Sequence, residues 1–430
     1  MTALEIGEDV LLFDCGIYLP AIVAVTEREK IPTEKGMRSI GALPNDIYLN
    51  KKGLRNKVRA ILISHAHLDH IGAVPYIAHN YNAPIIGTPF ATEVMKILME
   101  DNNQHIPNKM ISVKLNGSFI VKGKSGNYKV EFINVPHSTI ETTIIAVHTK
   151  EGIFLYANEF KMDHTPTFGE RLNEKRIKEL SNQGIKLMMI DSLYAHKDIK
   201  TPSEKIAKAL LEDVLFRTNN HNSGILISTF SSHIARLKTI AEFGERLGRK
   251  VVFFGRSLNK YMQAARNVGK ASFLKNVKMV TYRRQVEKMF RQINSNKKDF
   301  LIVCTGHQGE AGSVLDRISK GQLPLRLNEK DHIIFSSTTI PTPETELSKN
   351  NLVQRLRKTH ARIFDNIHVS GHGSREDMRE MIELARPKHI MPSNAGLDKT
   401  ELGAELAQGL GYRRDKNIHL LTDGRCLDLK

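Results

Sequence analysis

Three histidines and an aspartate stand within six consecutive positions of the sequence: His65, His67, Asp69 and His70. A continuous apolar run precedes them and predicts a buried strand, and residues 72–79 predict the start of a helix, so the cluster lies on a strand-to-helix loop. Imidazole and carboxylate bind Zn²⁺ and Mn²⁺, and two such ions about 3.5–4 Å apart can hold both the attacking and the leaving oxygen of a displacement. We expect the first two histidines to face one ion and the other two residues a second. The alternative, a polar loop that is rich in histidine by chance, is disfavoured by the spacing.

Two further candidate ligands follow predicted strands, His137 after residues 130–135 and Glu159 after residues 153–156. A single histidine is more often a hydrogen-bonded polar residue than a ligand. Both positions follow strands in a β-rich chain that already carries the histidine loop, and we therefore expect both to be ligands. Asp14 ends another buried strand, where it either hydrogen-bonds a ligand histidine and orients it or forms a turn.

Between about residues 201 and 345, predicted helices alternate with short apolar strands. Four such strands, at residues 224–227, 251–254, 300–303 and 332–335, each end in a loop of Gly, Ser or Thr. This pattern predicts a parallel α/β unit with its ligand crevice at the carboxyl ends of the strands, where backbone N–H groups and hydroxyls can bind an anion such as phosphate. The loop residues expected at this crevice are Ser231, Ser232, His233, Arg256, Gly306 and His307. Another strand is predicted over residues 366–369.

The composition restricts the class of protein. A chain of 430 residues exceeds the size of a single core and predicts two or more domains. The formal net charge of +17 indicates a polyanionic partner, although a generally basic, solvated surface is the alternative. The sequence contains no run of eighteen apolar residues and no leader-like start, so we expect neither a membrane span nor a signal peptide. Three distant cysteines, Cys15, Cys304 and Cys426, lack metal-type spacing and fit a reduced, cytoplasmic setting.

The H-x-H-x-D-H loop, the later strand-end histidine and the strand-end acid together resemble the metallo-β-lactamase fold. The α/β segment between Asp191-Ser192 and Ser370-Gly-His372 resembles the insert of its β-CASP branch. Several phrases resemble ribonuclease J, especially its short archaeal form: Phe160-Lys-Met-Asp163, Thr201-Pro-Ser-Glu204, Thr229-Phe-Ser-Ser-His233, Thr305-Gly-His-Gln-Gly-Glu310, Phe335-Ser-Ser337 and His368-Val-Ser-Gly-His372. The resemblance implies an αββα sandwich, formed by residues 1–193 and 346–430, with an inserted parallel α/β domain over residues 194–345.

The resemblance also implies a function. Members of this family are metal-dependent ribonucleases that hydrolyse the phosphodiester bonds of single-stranded RNA from the 5′ end, with possible endonuclease activity. They are cytoplasmic, and they often form homodimers. Two Zn²⁺ ions per chain are expected, with Mn²⁺ as an alternative. The RNA substrates, the balance of the two cleavage modes and the metal used in the cell stay open.

Individual roles follow from the same resemblance. His65, His67 and His137 hold one metal, Asp69 and His70 hold the other, and Glu159 bridges the two. Asp69 also orients the attacking water, and His372 pairs with Asp191 and acts as general acid. The insert holds the RNA, with a 5′-phosphate pocket at the loops that follow its strands. The expected RNA-binding residues are Ser231, Ser232, His233, Arg256, Gly306, His307, His368 and Ser370.

Three features depart from the family pattern, two of them single positions. The bridging acid is Glu159 where the family has aspartate, and Asn394 stands where the family places another histidine ligand, so we expect the second metal site to be weak. The family's glycine-rich first strand corresponds to sequence ahead of Met1, which leaves the first sheet short of a strand. The alternative function is therefore a catalytically weakened paralogue that acts as an RNA-binding or regulatory partner. A small-molecule hydrolase such as a thioesterase is disfavoured by the insert and the charge.

Overall fold

The chain passes four times between two compact units. The computed structural model describes residues 1–23, 33–340 and 342–429. The sandwich unit contains Met1–Ile17, Leu43–Pro202 and Ser370–Lys430, and the insert unit contains Tyr18–Ala42 and Ser203–Val369. These units divide at 202/203 and 369/370, whereas the domain boundaries at 193/194 and 345/346 stay a prediction from the sequence.

The strands and helices of the described residues are numbered in chain order. The strands are β1 (Thr2–Ile6), β2 (Asp9–Phe13), β3 (Val58–Leu62), β4 (Ile85–Gly87), β5 (Met110–Ser112), β6 (Ser118–Lys122), β7 (Asn127–Asn134), β8 (Thr143–Thr149), β9 (Gly152–Ala157), β10 (Ile185–Asp191), β11 (Ile225–Ser228), β12 (Lys250–Phe254), β13 (Val277–Val280), β14 (Phe300–Cys304), β15 (His332–Phe335), β16 (Arg362–Phe364) and β17 (His389–Ser393). The helices are α1 (Leu19–Val23), α2 (Glu34–Ser39), α3 (Ile47–Lys51), α4 (Leu68–Ile71), α5 (Val74–Ile77), α6 (Pro89–Asp101), α7 (Glu174–Gln183), α8 (Glu204–Arg217), α9 (Ile234–Arg246), α10 (Arg256–Asn267), α11 (Arg283–Ser295), α12 (Val314–Ser319), α13 (Pro343–Arg357), α14 (Arg375–Ala385) and α15 (Leu397–Gly409).

The sandwich unit contains two mixed sheets packed face to face. The first has the order β1-β2-β3-β4-β5, and the second has the order β17-β10-β9-β8-β7-β6. Phe13 and Leu62 of the first sheet share one apolar core with Phe132 and Tyr156 of the second. Strand β2 is buried at all five positions because the first sheet is covered on both faces, which explains its uninterrupted apolar sequence.

Helices cover the outer faces of this sandwich. Ile177 of α7, Met381 of α14 and Leu406 of α15 pack with Ile190 of β10 in a second core on the outer face of the six-stranded sheet. Helix α6 packs beside β4 and β5 of the other sheet. The layers are therefore helix, sheet, sheet, helix, which confirms the predicted αββα sandwich.

The insert unit contains a parallel sheet of order β13-β12-β14-β11-β15-β16. The four predicted strands correspond to β11, β12, β14 and β15, and the expected parallel α/β class is confirmed. The edge strands β13 and β16 were not predicted. The prediction of a strand at 366–369 is wrong, since β16 ends at Phe364 and Asn366 has a φ of 59°, which does not fit an extended strand.

No helix in the described ranges combines the length and the apolar character that a bilayer span requires.

Candidate metal centre

The histidine loop is tied to the end of β2 by backbone contacts. Cys15 N donates to His70 O at 2.7 Å, and Ala73 N donates to Cys15 O at 2.9 Å. A Cβ atom on Gly16 would lie only 1.5 Å from Asp69 O, so only glycine permits this approach. The positions of the side chains at 65–70 are therefore set by the backbone of two neighbouring strand ends.

Four side chains converge in a first cluster, His65, His67, His137 and Glu159. Glu159 Oε2 lies 3.0 Å from both His65 Nε2 and His137 Nε2, and 3.8 Å from His67 Nδ1. His67 Nδ1 lies 3.0 Å from His65 Nε2 and 3.2 Å from His137 Nε2. Among the described residues, Glu159 Oε2 accepts no hydrogen bond of acceptable geometry, although it is buried. Three imidazole nitrogens and one carboxylate oxygen therefore converge on one point.

The separations fit a tetrahedral metal ion. Bonds of about 2.0–2.1 Å from Zn²⁺ to nitrogen or oxygen give a ligand-to-ligand distance of about 3.3 Å in a regular tetrahedron. The five distances within the first cluster run from 3.0 to 3.8 Å and bracket this value. A buried carboxylate oxygen without a hydrogen bond supplies the charge that a cation needs. The residues present therefore fit a divalent metal.

Neighbouring groups hold the imidazoles in this orientation. His137 Nδ1 lies 2.7 Å from Gly371 O, to which it can donate, so Nε2 remains directed at the cluster. A Cβ on Gly371 would lie 2.7 Å from Ser138 Cβ, and this close approach brings the carbonyl within reach. Ser64 Oγ lies 3.0 Å from His65 Nδ1 and has the same effect.

A second cluster contains Asp69, His70 and again Glu159. His70 Nε2 lies 2.8 Å from Glu159 Oε1 and 3.8 Å from Asp69 Oδ2. The two oxygens of Glu159 thus face different clusters, which is the arrangement required of a bridging carboxylate. The longer side chain of glutamate reaches both clusters in this structure.

Asp14 contacts His70 of the second cluster. Its Oδ2 lies 2.7 Å from His70 Nδ1, and its carboxylate accepts hydrogen bonds from Ser64 N at 2.8 Å and from the Tyr156 hydroxyl at 2.9 Å. Its φ of 56° also places it in the left-handed region that turns use. Asp14 therefore has both features considered for it, the turn conformation and a contact with a cluster histidine.

Asn394 lies beside the second cluster as a donor. Its Nδ2 lies 3.1 Å from Glu159 Oε1 and 3.3 Å from Asn158 O. In this orientation the amide satisfies the bridging carboxylate and offers no ligand oxygen. The second cluster then retains three ligand residues, one fewer than the first.

The His372 imidazole lies next to both clusters. Its Nδ1 is 2.8 Å from Asp191 Oδ2, and its ring centroid is 5.0 Å from that of His137. Burial lowers the pKa of His372, but the carboxylates of Glu159 and Asp191 outweigh burial and raise it to about 9. These two carboxylates therefore favour the protonated form of the ring.

The pKa values of the histidines in the two clusters differ, because their charged neighbours differ. Burial and the proximity of His70 lower the pKa of His65 to about 3, and burial also lowers that of His67 to about 3. Burial alone lowers the pKa of His70, but Glu159, Asp14 and Asp69 raise it well above its usual value. Burial raises the pKa of Glu159, and the neighbouring histidines reverse this and hold it well below its usual value. His65 and His67 are therefore neutral beside an ionised carboxylate, as metal binding requires, whereas His70 is held in its protonated form and must release that proton when the second cluster binds an ion.

The predicted RNA-binding residues divide between the units. His307 and His368 of the insert unit lie near the Phe230 ring, with centroids 4.2 and 6.1 Å away. His307 is buried, and neither of its ring nitrogens has a hydrogen-bond partner among the described residues. His233 is buried and caps α9 by accepting from Arg236 N at 3.3 Å. Ser231 and Ser232 lie on the loop after β11, and Gly306 lies on the loop after β14. Arg256 was expected on a loop, but it is exposed at the first position of α10, because the helix begins directly after Gly255.

Ser370 belongs to the sandwich unit. Its Oγ accepts from His372 N at 3.0 Å and its carbonyl accepts from Lys161 Nζ at 3.0 Å, so it fixes the loop that carries His372.

Several residues at these sites were not identified from the sequence. Ser64 and Tyr156 contact Asp14, and Phe230 packs on His307. A further example is Arg236, which is fully buried and donates to both oxygens of Glu204 at 2.6 and 2.8 Å. Ser64 directly precedes the histidine loop, which is a signal that could have been used; the other contacts join distant positions.

Comparisons with known proteins agree with this architecture. The family model described as "Ribonuclease J, beta-CASP domain" matches residues 222–356, and that described as "Metallo-beta-lactamase superfamily" matches residues 1–109. Ribonuclease J of Methanocaldococcus jannaschii is 35% identical over all of this chain and 96% of its own length. Ribonuclease J of Pyrococcus abyssi is 34% identical over all of this chain and 94% of its own length.

A solved structure also shares the fold. A protein of unknown function from Enterococcus faecalis V583 matches with a TM-score of 0.61 over 98% of this chain and 94% of that chain, at 15% identity. This likeness concerns the fold alone. The two archaeal relatives match from end to end, and the chain belongs to the ribonuclease J family within the metallo-β-lactamase superfamily.

Proposed function

We propose that this protein is a metal-dependent ribonuclease that hydrolyses the phosphodiester bonds of RNA. The observation that carries the proposal is the pair of ligand clusters that share Glu159, with the His372–Asp191 pair beside them. Relatives named ribonuclease J match the whole chain and support RNA as the substrate. The net charge of +17 suits a polyanion.

We assign the metals to the two clusters. His65, His67, His137 and Glu159 would hold Zn²⁺ tightly, since four ligands surround one point. Asp69, His70 and the shared Glu159 would hold a second ion, Zn²⁺ or Mn²⁺, more weakly. Ions bound in such paired sites supply Lewis acidity toward phosphate oxygens.

The surrounding side chains supply the proton transfers. The Asp69 carboxylate is partly exposed, and it can accept a hydrogen bond from an attacking water and orient it. Asp191 accepts from His372 Nδ1, which leaves Nε2 as the atom from which a proton can pass to the leaving oxygen. We assign His372 as general acid on this geometry, with Asp191 as the group that orients it.

We further propose that the insert unit binds a 5′-monophosphate. The buried His307 and the half-buried His368 lie beside Phe230, in reach of the loops that carry Ser231 and Gly306. The neutral ring of His307 carries one N–H, which has no partner among the described residues and could donate to an anion. This pocket predicts degradation that begins at the 5′ end.

The test combines metal content with hydrolysis. The purified chain should contain at least one tightly bound metal ion, and added Mn²⁺ or Zn²⁺ should raise the rate as the weaker site fills. An RNA with a 5′-monophosphate should be degraded faster than the same RNA with a 5′-hydroxyl. Equal rates on the two would exclude 5′-end degradation and leave a nuclease. RNA that stays intact at metal saturation would contradict the hydrolase.

A second function is favoured by Asn394. Its Nδ2 donates to Glu159 Oε1, so the second cluster has lost one ligand, and a weakened paralogue that binds RNA without efficient cleavage fits this contact. Asn394→His combined with Glu159→Asp should raise both second-site affinity and rate if the chain is an enzyme with a weak site. If the double variant binds two metals and still leaves RNA intact, the RNA-binding function is the correct one.

A further inference from the structure

The positive charge of the chain is concentrated in one segment of the insert unit. Residues 256–298 contain twelve Lys and Arg residues and a single acidic residue, Glu287, whereas the complete chain has 63 basic and 46 acidic residues. This segment forms α10, β13 and α11, at one edge of the parallel sheet. A solvated surface that serves only solubility carries both signs interspersed, and this one does not.

Helix α11 presents its basic residues on one face. Val286, Phe290 and Ile293 are buried against the sheet. Arg284 and Lys288 lie on the opposite face, one turn apart, and both are exposed. In the described part of the chain neither has an ion-pair partner, whereas Arg283 lies 3.1 Å from Glu287 in an exposed pair.

Tyr282 stands at the start of this face with 71% of its surface exposed. It is the residue that precedes α11, and its side chain makes no capping hydrogen bond. Two arginines follow in the first turn, which contains no acidic residue, so the helix dipole disfavours the local charge. Neither packing nor helix stability therefore accounts for an exposed aromatic followed by two cations.

Tyr282 follows β13, on the side of the insert sheet where the ligand crevice is expected. The strands are parallel, so their carboxyl ends all lie on the same side of the sheet. The carboxyl end of β13 is therefore on the same side as the loops after β12 and β14. Strands are spaced about 4.8 Å apart, which places the end of β13 about 10 Å from the end of β14, the strand that leads to Gly306 and His307.

We propose that Tyr282, Arg283, Arg284 and Lys288, here termed the edge patch, bind the body of a single-stranded RNA. The proposal rests on the proposed function and adds a contact outside the catalytic and 5′-phosphate sites. The Tyr282 ring stacks on a base, and the cations contact successive phosphates. Exposed aromatics interleaved with cations bind single strands in this way without sequence preference.

The test measures binding of the full-length chain to a hydrolysis-resistant phosphorothioate RNA of about 20 nucleotides, longer than the roughly 4–16 that one single-strand-binding domain covers. Tyr282→Ala should weaken binding about 5- to 100-fold, and Tyr282→Phe, which keeps the ring, should not. Arg283→Gln with Arg284→Gln should make the slope of log affinity against log salt shallower by about 1.4. The matched control is Lys298→Gln with Lys330→Gln, two exposed lysines at the amino ends of β14 and β15.

Hydrolysis separates the failure of this proposal from that of the proposed function. The edge-patch variants should hydrolyse a dinucleotide at the wild-type rate and RNA of about 20 nucleotides with a raised KM, since a dinucleotide is too short to occupy the reacting site and the patch together. Wild-type affinity in the edge-patch variants, or an equal loss in the control, would overturn the proposal. A change in oligomeric mass in place of RNA affinity would assign the patch to contact with a second copy. If the wild-type chain cleaves neither RNA, the proposed function fails. The binding results still decide whether the edge patch binds RNA.

Discussion

Both units contain buried or half-buried histidines, but in electrostatic surroundings of opposite sign. In the sandwich unit, Glu159, Asp14 and Asp69 raise the pKa of His70 well above its usual value against the effect of burial. In the insert unit, burial and the nearby Lys349 lower the pKa of His307 to about 3. Burial and Arg236 lower that of His368 to about 2. The first surroundings attract a cation, and the second attract an anion.

The carboxylates make the difference. Glu159 has one oxygen directed at each ligand cluster, and no arginine among the described residues pairs with it. Glu204 of the insert unit, in contrast, is held by Arg236 through both oxygens. A carboxylate that is already paired in this way has little charge left for a metal. Clustered histidines alone therefore do not make a metal centre, and the partner of the nearest carboxylate decides which ion is bound.

The largest effect is expected from Glu159→Gln. Removal of the shared carboxylate acts on both clusters, so bound metal should fall below one ion per chain and RNA hydrolysis should fall by about 10⁴-fold or more, as in other interdependent catalytic sets. Metal analysis and single-turnover hydrolysis measure the two quantities. Glu131→Gln is the control, because Glu131 is a buried carboxylate of the same unit that pairs with Arg176 and faces no cluster. Equal metal loss in both variants would contradict the role of Glu159.

In the insert unit, Glu204→Gln should lower the free energy of unfolding by about 3–5 kcal/mol, since it leaves the Arg236 charge buried without its partner. Denaturant unfolding measures this loss. The metal content of the chain should not change, because Glu204 belongs to neither cluster. Loss of metal without loss of stability would contradict this prediction, because Glu204 would then support metal binding and not an ion pair that stabilises the fold.

The ion pair between Glu204 and Arg236 also predicts how the free energy of unfolding depends on pH. Burial raises the pKa of Glu204, but Arg236 and His233 outweigh burial and hold it well below its usual value in the folded chain. The stabilisation is therefore fully present above the unfolded pKa of about 4.3 and is lost as pH falls toward the folded pKa. Wild-type unfolding between pH 5 and pH 3 should show a decline that Glu204→Gln reduces. An equal decline in both chains would exclude Glu204 as its source.

A smaller effect is expected from His372→Gln, which should slow hydrolysis at least about 10²-fold through loss of the general acid. Metal content should stay at the wild-type level, because His372 is a member of neither cluster. Single-turnover rates and metal analysis separate the two effects. A parallel loss of metal would instead identify His372 as a ligand.

The smallest effect is expected at Asp14. Asp14→Asn should weaken metal binding at the second cluster about 10- to 100-fold, because the carboxylate orients His70 and raises its basicity. Titration with Mn²⁺ measures this affinity. Tyr156→Phe removes only the hydroxyl that donates to Asp14 and should weaken binding less. A larger loss in Tyr156→Phe would show that packing, and not the carboxylate, supports the site.

Much of the architecture could be predicted from local patterns. Apolar runs ending in Gly, Ser or Thr predicted the central strands of the insert, because a strand buried on both faces has a continuous apolar sequence. The edge strands β13 and β16 were not predicted. Each is short and carries an exposed cation, Lys278 in β13 and Arg362 in β16. Edge strands are commonly short and charged, and their pattern is correspondingly weak.

The candidate ligands were predicted from their spacing and their places after strands, and the structure brings all six together, with Glu159 in both clusters. The contacts that orient them were not predicted, apart from Asp14 and the His372–Asp191 pair. The carbonyl of Gly371 reaches His137 across more than two hundred positions, and no local pattern records such a contact. Asn394 was expected to replace a ligand, and its actual contact, donation to the carboxylate that bridges the clusters, required the structure.

The close approach at Gly16 has a consequence for how the protein responds to a chelator. The loop that carries four candidate ligands is fixed by backbone contacts within the folded sandwich, so the conformational entropy of ordering these ligands is lost when the chain folds and not when metal binds. Small zinc domains unfold without their ion because the ion supplies their folding energy. We therefore expect a chelator to remove metal from this chain without unfolding it, and added metal to bind again without refolding.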